Sequence, residues 1–427
     1  DGGPCPPFSF AAIMPAMNSS AATSVLRSDI RVISLIGFAH GTSHFFHLLL
    51  PPLFPWLMPA FGLSFTQAGA MMTVFFVVSG VGQALSGFVV DRVGPRRVLL
   101  AGIACFVLAA LLLGVANGYA MLLAVGALAG LGNCVFHPAD FTLLNRKVSG
   151  ARLGHAFSAH GLSGSLGWAI APIFLTGIAA AAGWRAAALA AAALGALAWA
   201  VVWLGREATA LADGGAKAVK AAPGEKVSAG GTASTFGFLG VAAVWLCFAF
   251  FLLVTMAFGA LQNYATPLMH AMYGLPLAAA AATLTAFLLG GAAGIAAGGV
   301  LAVRGASHEG LIALALGAAA LAAGVIATGV LPAWSVMPAM AVMGFCSGIA
   351  GPSRDLLVRR AATARFGQGA YGRVYGFVYS GLDLGLALSP LIFGPLMDAG
   401  RFGAVLAGVA FLQGASILAA LRVGSRF

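Results

Sequence analysis

The sequence predicts an all-α membrane protein, with twelve transmembrane helices in two pseudo-symmetric six-helix bundles. Of its 427 residues, 61% are hydrophobic and only 8% are charged, whereas a soluble domain carries about 25% charged residues. Apolar runs of about twenty residues, the length that crosses a bilayer, recur along the whole chain. A large soluble core is therefore excluded.

Short matches between the two halves of the chain predict the two-bundle arrangement. The matched segments are Gly87-x-x-x-Asp91-Arg92 with Gly299-x-x-x-Val303-Arg304, Pro138 with Pro352, and Gly167-x-x-x-x-Pro172 with Gly385-x-x-x-x-Pro390. The matched segments of each pair are separated by about 215 residues, close to half of the chain. An internal repeat of this kind predicts two similar bundles related by a pseudo-twofold axis, with a cavity between them.

The expected spans follow one another with short connections, except in the middle of the chain. In order they are residues 31–58, 66–90, 98–116, 119–144, 154–181, 184–204, 236–264, 277–300, 309–329, 334–360, 371–397 and 401–422. Residues 1–26 hold no long apolar run and no basic start, so we expect a disordered segment without a cleavable signal. The first bundle then covers 27–204 and the second 236–427. Residues 205–235 between them are rich in Gly, Ala, Lys and Glu and are expected to form a flexible linker.

The net charge of +11 would suggest a nucleic-acid partner in a soluble protein, but here the loops explain it. When successive loops are assigned alternately to the two sides of the membrane, 19 of the 22 Lys and Arg residues fall on one side. Arg185 and Arg401 fall on the other side, and Arg354 lies inside a span. Cytoplasmic loops carry an excess of Lys and Arg. We therefore expect a multi-pass protein of the bacterial inner membrane with both termini cytoplasmic, and the lipid bilayer rather than nucleic acid as its partner.

Small residues within the spans are expected to serve packing. The five cysteines are scattered without a CxxC pair and predict neither a disulfide nor a metal cage; they are Cys5, Cys105, Cys134, Cys247 and Cys346. Small residues let membrane helices approach closely. Gly161, Gly164 and Gly167 in the fifth span have the spacing of one helix face, so we expect that face to meet a neighbouring helix.

Ionisable residues within the spans predict the functional pathway, because such groups are costly in a membrane. In the first span, His40, His44 and His47 have i, i+4, i+7 spacing and share one helix face. The other ionisable residues of the spans are His137, Asp140, His155, His160, Arg354, Asp355 and Asp383. The histidines could form a polar cavity lining, couple to protons, since imidazole titrates near neutral pH, or hold a transition metal. No second helix repeats the paired histidines, so we assign no metal site.

One charged loop between the second and third spans has a specific pattern. Gly87-x-x-x-Asp91-Arg92-x-Gly94-x-Arg96-Arg97, named here the arginine loop, resembles the signature loop between helices 2 and 3 of the major facilitator superfamily. The resemblance implies a cytoplasmic latch in which the Asp and Arg side chains engage neighbouring helix ends. It also implies that the fourth and tenth spans face each other across the central cavity.

Asp140 and Arg354 lie at equivalent positions of the two repeats. At 1.5 Å per residue, each is about 9 Å from the nearest expected loop charge, while Asp383 and His40 are about 15 Å and about 13 Å deep. The two could form a salt bridge that closes the cytoplasmic mouth in the outward-open state. Alternatively, Arg354 could hold an anionic substrate bidentately, or pair with its neighbour Asp355. Asp383, near the midplane, is the best single candidate for a proton carrier.

The first half of the chain is also similar to a narrower group. Gly41-Thr-Ser-His44, the following Pro51 to Pro55 segment, and Phe136-His137-Pro138 resemble motifs of fosmidomycin-resistance transporters, which are proton-coupled exporters of a small phosphonate antibiotic. The resemblance covers mainly the first five spans. It implies that His44 and His137 lie in the cavity.

We therefore expect a proton-coupled secondary transporter of a small polar, anionic solute, acting as a monomeric exporter of antibiotic-like compounds. The alternatives are a proton symporter that takes up an organic acid or sugar, and a carrier of metal ions or metal chelates. No nucleotide-binding P-loop is present to drive ATP-dependent pumping. No nucleophile with a base stands out either, so we expect neither an enzyme nor a cofactor, and the proton gradient as the driving force.

Overall fold

The structure is a computed structural model that describes residues 19–209, 237–303, 307–366 and 371–424, and these are helical almost throughout. The first half contains α1 (Ser19–His47), α2 (Phe54–Phe61), α3 (Phe65–Val93), α4 (Pro95–Gly114), α5 (Tyr119–Asn133), α6 (Phe136–Lys147), α7 (Leu153–Ala182), α8 (Trp184–Leu204) and the short α9 (Arg206–Thr209). The second half contains α10 (Ala242–Tyr273), α11 (Leu277–Val303), α12 (His308–Ala327), α13 (Ala333–Phe366), α14 (Tyr371–Asp398) and α15 (Phe402–Gly424).

The helices are long and apolar enough to confirm an all-α, multi-pass membrane protein. Within the described residues, 11 segments meet the length and composition of a bilayer span, with α5 and α6 together forming one of them. The bent pair α1 and α2 raises the number to 12. The structure therefore confirms the predicted number of spans.

Two of the spans are broken at proline-containing sequences. The first bends by 40° between α1 and α2, where Pro51 and Pro52 each lack the N–H that would continue the helical ladder. The fourth is interrupted at Cys134 and Val135, and Pro138 then lies in the first turn of α6, where a missing N–H is tolerated. The second break places His137 and Asp140 on the separate short helix α6.

The helix packing confirms the predicted pseudo-symmetry. In the first half α1 packs on α7, α3 on α5, and α4 on α8. The equivalent helices of the second half pair in the same way, α10 with α14, α11 with α13, and α12 with α15. The two bundles meet through α3 with α14 and α7 with α11, and these two contacts are also equivalent under the pseudo-twofold axis.

The arginine loop is a tight turn between two spans. Gly94 joins α3 to α4 with a φ of 94°, a left-handed value that favours glycine, and Pro95 then starts α4. Arg96 donates a hydrogen bond to the backbone carbonyl of Trp203 at the end of α8, at 3.0 Å. Asp91, Arg92 and Arg97 are exposed. The position of the loop is as predicted, and its role as a latch stays a prediction.

Hydrogen bonds join the two bundles in the middle of the molecule and at the end away from the arginine loop. We call the end with that loop the loop end and the opposite end the far end. At the far end, Asp398 of α14 accepts hydrogen bonds from the backbone N–H groups of Phe65 and Thr66, at 2.5 and 3.0 Å. Nearer the middle, the Thr73 hydroxyl donates to the carbonyl of Ala387 at 2.8 Å. The far end is therefore closed.

Two expected segments fall wholly or partly outside the described residues. Of the N-terminal segment 1–26, residues 1–18 lie outside them, whereas α1 already begins at Ser19; Ala21 and Ala22 in its first turn have high helix propensity. Of the expected linker 205–235, only the short helix α9 at its start is described.

Candidate functional site

The three histidines of α1 form one row of rings, as their spacing predicts. The ring centroids of His40 and His44 are 4.4 Å apart, and those of His44 and His47 are 4.9 Å apart. The row faces α7, because α1 and α7 pack closely at glycines. A Cβ atom on Gly164 would come within 2.7 Å of the His44 ring and 3.0 Å of the His40 Nε2, so this glycine makes room for the imidazoles.

Asp140 of α6 lies at the centre of the polar site. Its side chain is fully buried, and its Oδ2 atom is 3.1 Å from Nε2 of His160 and 3.3 Å from Nδ1 of His40. The rings of His40 and His160 stack at 3.5 Å. The other carboxylate oxygen, Oδ1, has no hydrogen-bond partner within the protein. One carboxylate thus joins imidazoles from two further helices.

His137 completes this group, which we call the inner cluster: His40, His137, Asp140 and His160. The His137 ring centroid is 5.3 Å from that of His40 and 6.1 Å from that of His160. One ring nitrogen from each of the three histidines lies within 4.8 Å of the others. Helices α1, α6 and α7 each contribute one of the three rings, so the cluster forms only when these helices are packed.

His47, at the other end of the row, is held by hydrogen bonds at both ring nitrogens. The Trp168 indole N–H donates to Nδ1 at 3.3 Å, so Nδ1 must accept. Nε2 then carries the hydrogen and donates to the Asn133 side-chain oxygen at 2.7 Å, while the Asn133 amide donates to the Ser79 hydroxyl at 2.8 Å. This chain fixes the tautomer of His47, and the side chain acts as a structural link between α1, α5 and α7.

His44 and Trp168 lie on the face of the first bundle that is directed towards the second bundle. Their ring centroids are 4.2 Å apart, and Trp168 in turn contacts Phe258 of α10 at 5.4 Å. His44 is partly exposed, and its Nδ1 has no hydrogen-bond partner within the protein. An imidazole with a spare nitrogen beside an indole is suited to contact a polar solute that enters between the bundles.

In the second bundle, Asp383 of α14 lies at the contact between the bundles. A Cβ atom on Gly80 of α3 would be 3.5 Å from the Asp383 Cβ and 3.7 Å from its Oδ2. Asp383 is half-buried. Asp383 therefore lies against α3 of the first bundle, at the distance of an ordinary van der Waals contact with a side chain at position 80.

Arg354 occupies the interior of the second bundle in this conformation. Its guanidinium lies over the Phe251 ring, 4.5 Å from the ring centroid, and it lines a small pocket with Cys247, Phe250 and Leu357. Asp140 is engaged by His40 and His160 instead, so the expected pair of Asp140 with Arg354 is not formed here. Its formation in an outward-open state stays a prediction, and the Asp355 side chain lies outside the described residues.

Several polar residues of the site were not singled out from the sequence. Asn133 was the main omission, although an amide within the apolar helix α5 is a signal, since buried polar groups need partners. Trp168 was also missed, because an indole among apolar residues looks like packing. A third omission is the buried trio Gln262, Asn263 and Thr266 on α10, each of which has a polar atom without a hydrogen-bond partner within the protein.

Comparisons with known proteins agree with this architecture. The fosmidomycin resistance protein of Escherichia coli is 29% identical over 160 residues, which are 37% of this chain and 39% of that protein. The probable L-galactonate transporter of the same organism is 26% identical over 149 residues, 34% of this chain and 33% of that protein. The alignments thus span between a third and two fifths of these relatives.

A solved structure matches nearly the whole chain. It is the crystal structure of a bacterial homologue of the human lysosomal transporter Spinster, in an inward-facing and unoccupied conformation. The TM-score is 0.69 at 14% sequence identity, covering 93% of this chain and 96% of that chain, so the likeness shows the fold. The family model of the Major Facilitator Superfamily matches residues 33–390. With that match across most of its length and twelve spans in two related bundles, the chain belongs to the Major Facilitator Superfamily, and is a membrane transporter of small molecules rather than an enzyme.

Proposed function

We propose that this transporter is a monomeric exporter in the bacterial inner membrane, which moves a small polar, anionic solute in exchange for protons by alternating access. The observation that carries the proton coupling is Asp383, an ionisable side chain within the membrane, packed against Gly80 at the contact between the bundles. Intramembrane carboxylates mark proton pathways in transporters. Asp383 is also placed where the bundles must separate.

The coupling follows from this placement. When the bundles rock, the contact of α14 with α3 opens, and water reaches a carboxyl group that was packed against a helix. A group whose environment differs between two states binds protons differently in them, and proton binding then shifts the equilibrium between the states. Asp383 therefore links proton uptake to the conformational change without touching the solute.

The orientation rests on charge. The expected loops at the loop end hold nearly all the Lys and Arg residues, and cytoplasmic loops are richer in these residues. The loop end is then cytoplasmic, and the closed far end makes this conformation inward-facing.

The chemistry of His44 and Trp168, at the face towards the second bundle, supports an anionic solute. His44 offers a ring nitrogen beside Trp168, and imidazole N–H groups donate hydrogen bonds to carboxylate or phosphonate oxygens. Two relatives named above are a fosmidomycin resistance protein and a probable L-galactonate transporter. An anionic solute with several oxygens fits both the site and these names.

The test uses inside-out membrane vesicles with an acid-inside pH gradient. Small phosphonates and sugar acids are added outside, and the lumenal pH is followed with a fluorescent probe. An exporter that exchanges its solute for protons releases lumenal protons when the right solute is added. Asp383→Asn should abolish this release, and Asp383→Glu should retain part of it, because it keeps an ionisable group at the same contact.

The result that would overturn the export direction is equally concrete. If no added solute releases protons, while a sugar acid loaded into the lumen leaves together with them, the protein is an uptake symporter. If solute moves at the same rate in Asp383→Asn, with or without the gradient, transport is not coupled through Asp383.

A further inference from the structure

We infer that the inner cluster of His40, His137, Asp140 and His160 is a binding site for a divalent transition-metal ion of the Zn²⁺, Co²⁺ or Ni²⁺ class. Three imidazoles from α1, α6 and α7 present ring nitrogens within 4.8 Å of one another. Imidazole nitrogen is the ligand that these ions prefer, and three histidines with one open position form a common metal site.

The distances suit such an ion after small side-chain movements. In a tetrahedral site with metal–nitrogen bonds of about 2.0–2.1 Å, neighbouring ligand atoms are about 3.3 Å apart. Three nitrogens within 4.8 Å of one another reach that spacing if each moves inward by less than about 1 Å. Rotation of the imidazole rings supplies a movement of this size without a change in the helices.

Unpaired buried atoms in the cluster point to a ligand. Asp140 is 0% exposed, yet its Oδ1 has no hydrogen-bond partner within the protein, and neither has Nδ1 of the partly exposed His137. Buried polar atoms without partners are costly. A metal ion in the cluster would give the His137 ring a partner.

Asp140 is the orienting carboxylate of this site. Its Oδ2 lies 3.1 Å from Nε2 of His160 and 3.3 Å from Nδ1 of His40. A carboxylate that holds one ring nitrogen of a histidine directs the other nitrogen towards the metal and makes it a stronger ligand. Its negative charge would also offset part of the charge of a divalent ion in an apolar environment.

The donor set decides the class of ion. Mg²⁺ and Ca²⁺ prefer oxygen ligands, whereas the inner cluster offers three imidazole side chains and one carboxylate. His44 lies one turn further along α1, where its ring contacts Trp168, and is not one of the three. The site is therefore made of one histidine from each of three helices, rather than of two histidines from one helix.

The inference does not depend on proton coupling or on the direction of transport. The cluster lies within the first bundle, while Asp383, on which the proposed coupling rests, lies on α14 of the second. Metal binding is measured on the purified protein without any gradient. Loss of metal binding would leave the transport proposal intact, and failure of the transport test would leave the metal site intact.

The experiment is a Co²⁺ titration of the purified protein in detergent, prepared without a polyhistidine tag. We expect one Co²⁺ per chain and visible absorption bands with the intensity of a four-coordinate ion, without the thiolate charge-transfer band that cysteine ligands would give. Zn²⁺ should displace the Co²⁺ and Mg²⁺ should not. His137→Ala and His160→Ala should each raise the dissociation constant by more than about 10-fold, and Asp140→Asn by about 10–100-fold.

The matched control is His155→Ala, because His155 is exposed on the same helix as His160 and lies outside the cluster. It should bind Co²⁺ as the unaltered protein does. Size-exclusion elution and thermal unfolding show whether each variant is folded, and His160→Gln replaces His160→Ala if the latter is not. Unchanged Co²⁺ affinity in folded variants of both His137 and His160, or absorption of a six-coordinate ion only, would overturn the inference.

Discussion

Three histidines on one helix face have three different surroundings. His47 is bonded at both ring nitrogens, His44 keeps a spare nitrogen beside Trp168, and His40 joins the carboxylate of Asp140. Their chemistry is therefore set by partners on other helices rather than by residue type. The sequence-based proposal that all three line the solute and proton pathway is best supported for His44.

We expect the Asn133 side chain to contribute more to the stability of the protein than to transport. In Asn133→Ala, the Nε2–H of His47 loses its buried acceptor, and an unsatisfied buried donor costs about 1–3 kcal/mol. We expect a lower unfolding temperature in detergent, measured by intrinsic fluorescence. The control is Asn145→Ala, since the Asn145 amide bonds only the Phe141 carbonyl of its own helix. Equal unfolding temperatures for both variants would contradict the structural role of the His47 link.

At the scale of helices, hydropathy predicted the spans well, and side-chain chemistry predicted their breaks less well. Each span from 31–58 to 401–422 has a helix, because about twenty apolar residues in a bilayer must satisfy their backbone hydrogen bonds internally. The interruption at Cys134 and Val135 was not predicted. Pro138 was noted as a repeat marker and as part of the Phe136-His137-Pro138 motif, although a proline within a helical pattern also indicates a break.

The glycine face predicted on α7 is only partly correct. Gly167 packs so closely on α1 that an added Cβ would overlap the carbonyl oxygen of Gly41, and Gly164 faces the histidine row. Gly161 is exposed and has no atom within 4 Å of an added Cβ. Spacing alone could not show where α1 ends its contact with α7, because that depends on the angle between the helices.

The two glycines therefore allow a matched test of helix packing. Gly167→Ala should push α1 and α7 apart and destabilise the protein by about 1–3 kcal/mol, the usual cost of overpacking. Gly161→Ala should be neutral, or stabilise α7 by up to about 1 kcal/mol through helix propensity. Thermal unfolding of the two variants in the same detergent measures the difference. A Gly167→Ala variant as stable as Gly161→Ala would show that the close approach is not needed.

At the scale of the whole molecule, the sequence predicted which ionisable residues lie within the spans better than which of them meet. Asp140 and Arg354 occupy equivalent positions, yet Asp140 contacts two histidines and Arg354 lies on Phe251. His160, ranked only as one more polar residue, proved central. Contacts within a bundle depend on helix rotation, and contacts between bundles depend on the conformational state, so neither can be obtained from spacing along the chain.

At the far end, one carboxylate accepts hydrogen bonds from the other bundle. Asp398 ends α14 and accepts from both Phe65 and Thr66 at the start of α3, including the Thr66 hydroxyl. The negative charge also complements the positive end of the α3 dipole. Beside it, the hydroxyl of the buried Tyr264 is shared between the carbonyls of Phe65 and Pro390, at 3.2 Å each. Opening the far end must break this set of hydrogen bonds.

Asp398→Ala should therefore favour opening at the far end. Asp398 is exposed, so each of its hydrogen bonds is worth less than the roughly 1.5–3 kcal/mol of a typical bond to a charged group, but a total loss of about 1.4 kcal/mol from the closed state already raises the open population tenfold. The reporter is Ala387→Cys, placed at a position that is 5% exposed in the closed interface, in a variant with the native cysteines replaced. A membrane-impermeant maleimide added to intact cells should label it several-fold faster when Asp398 is Ala.

Thr328→Ala is the control, because this far-end hydroxyl donates only to the carbonyl of Val325 in its own bundle. Labelling rates that do not differ between the Asp398 and Thr328 variants would show that the far end is held closed by the apolar contacts of α3 with α14, and not by the carboxylate.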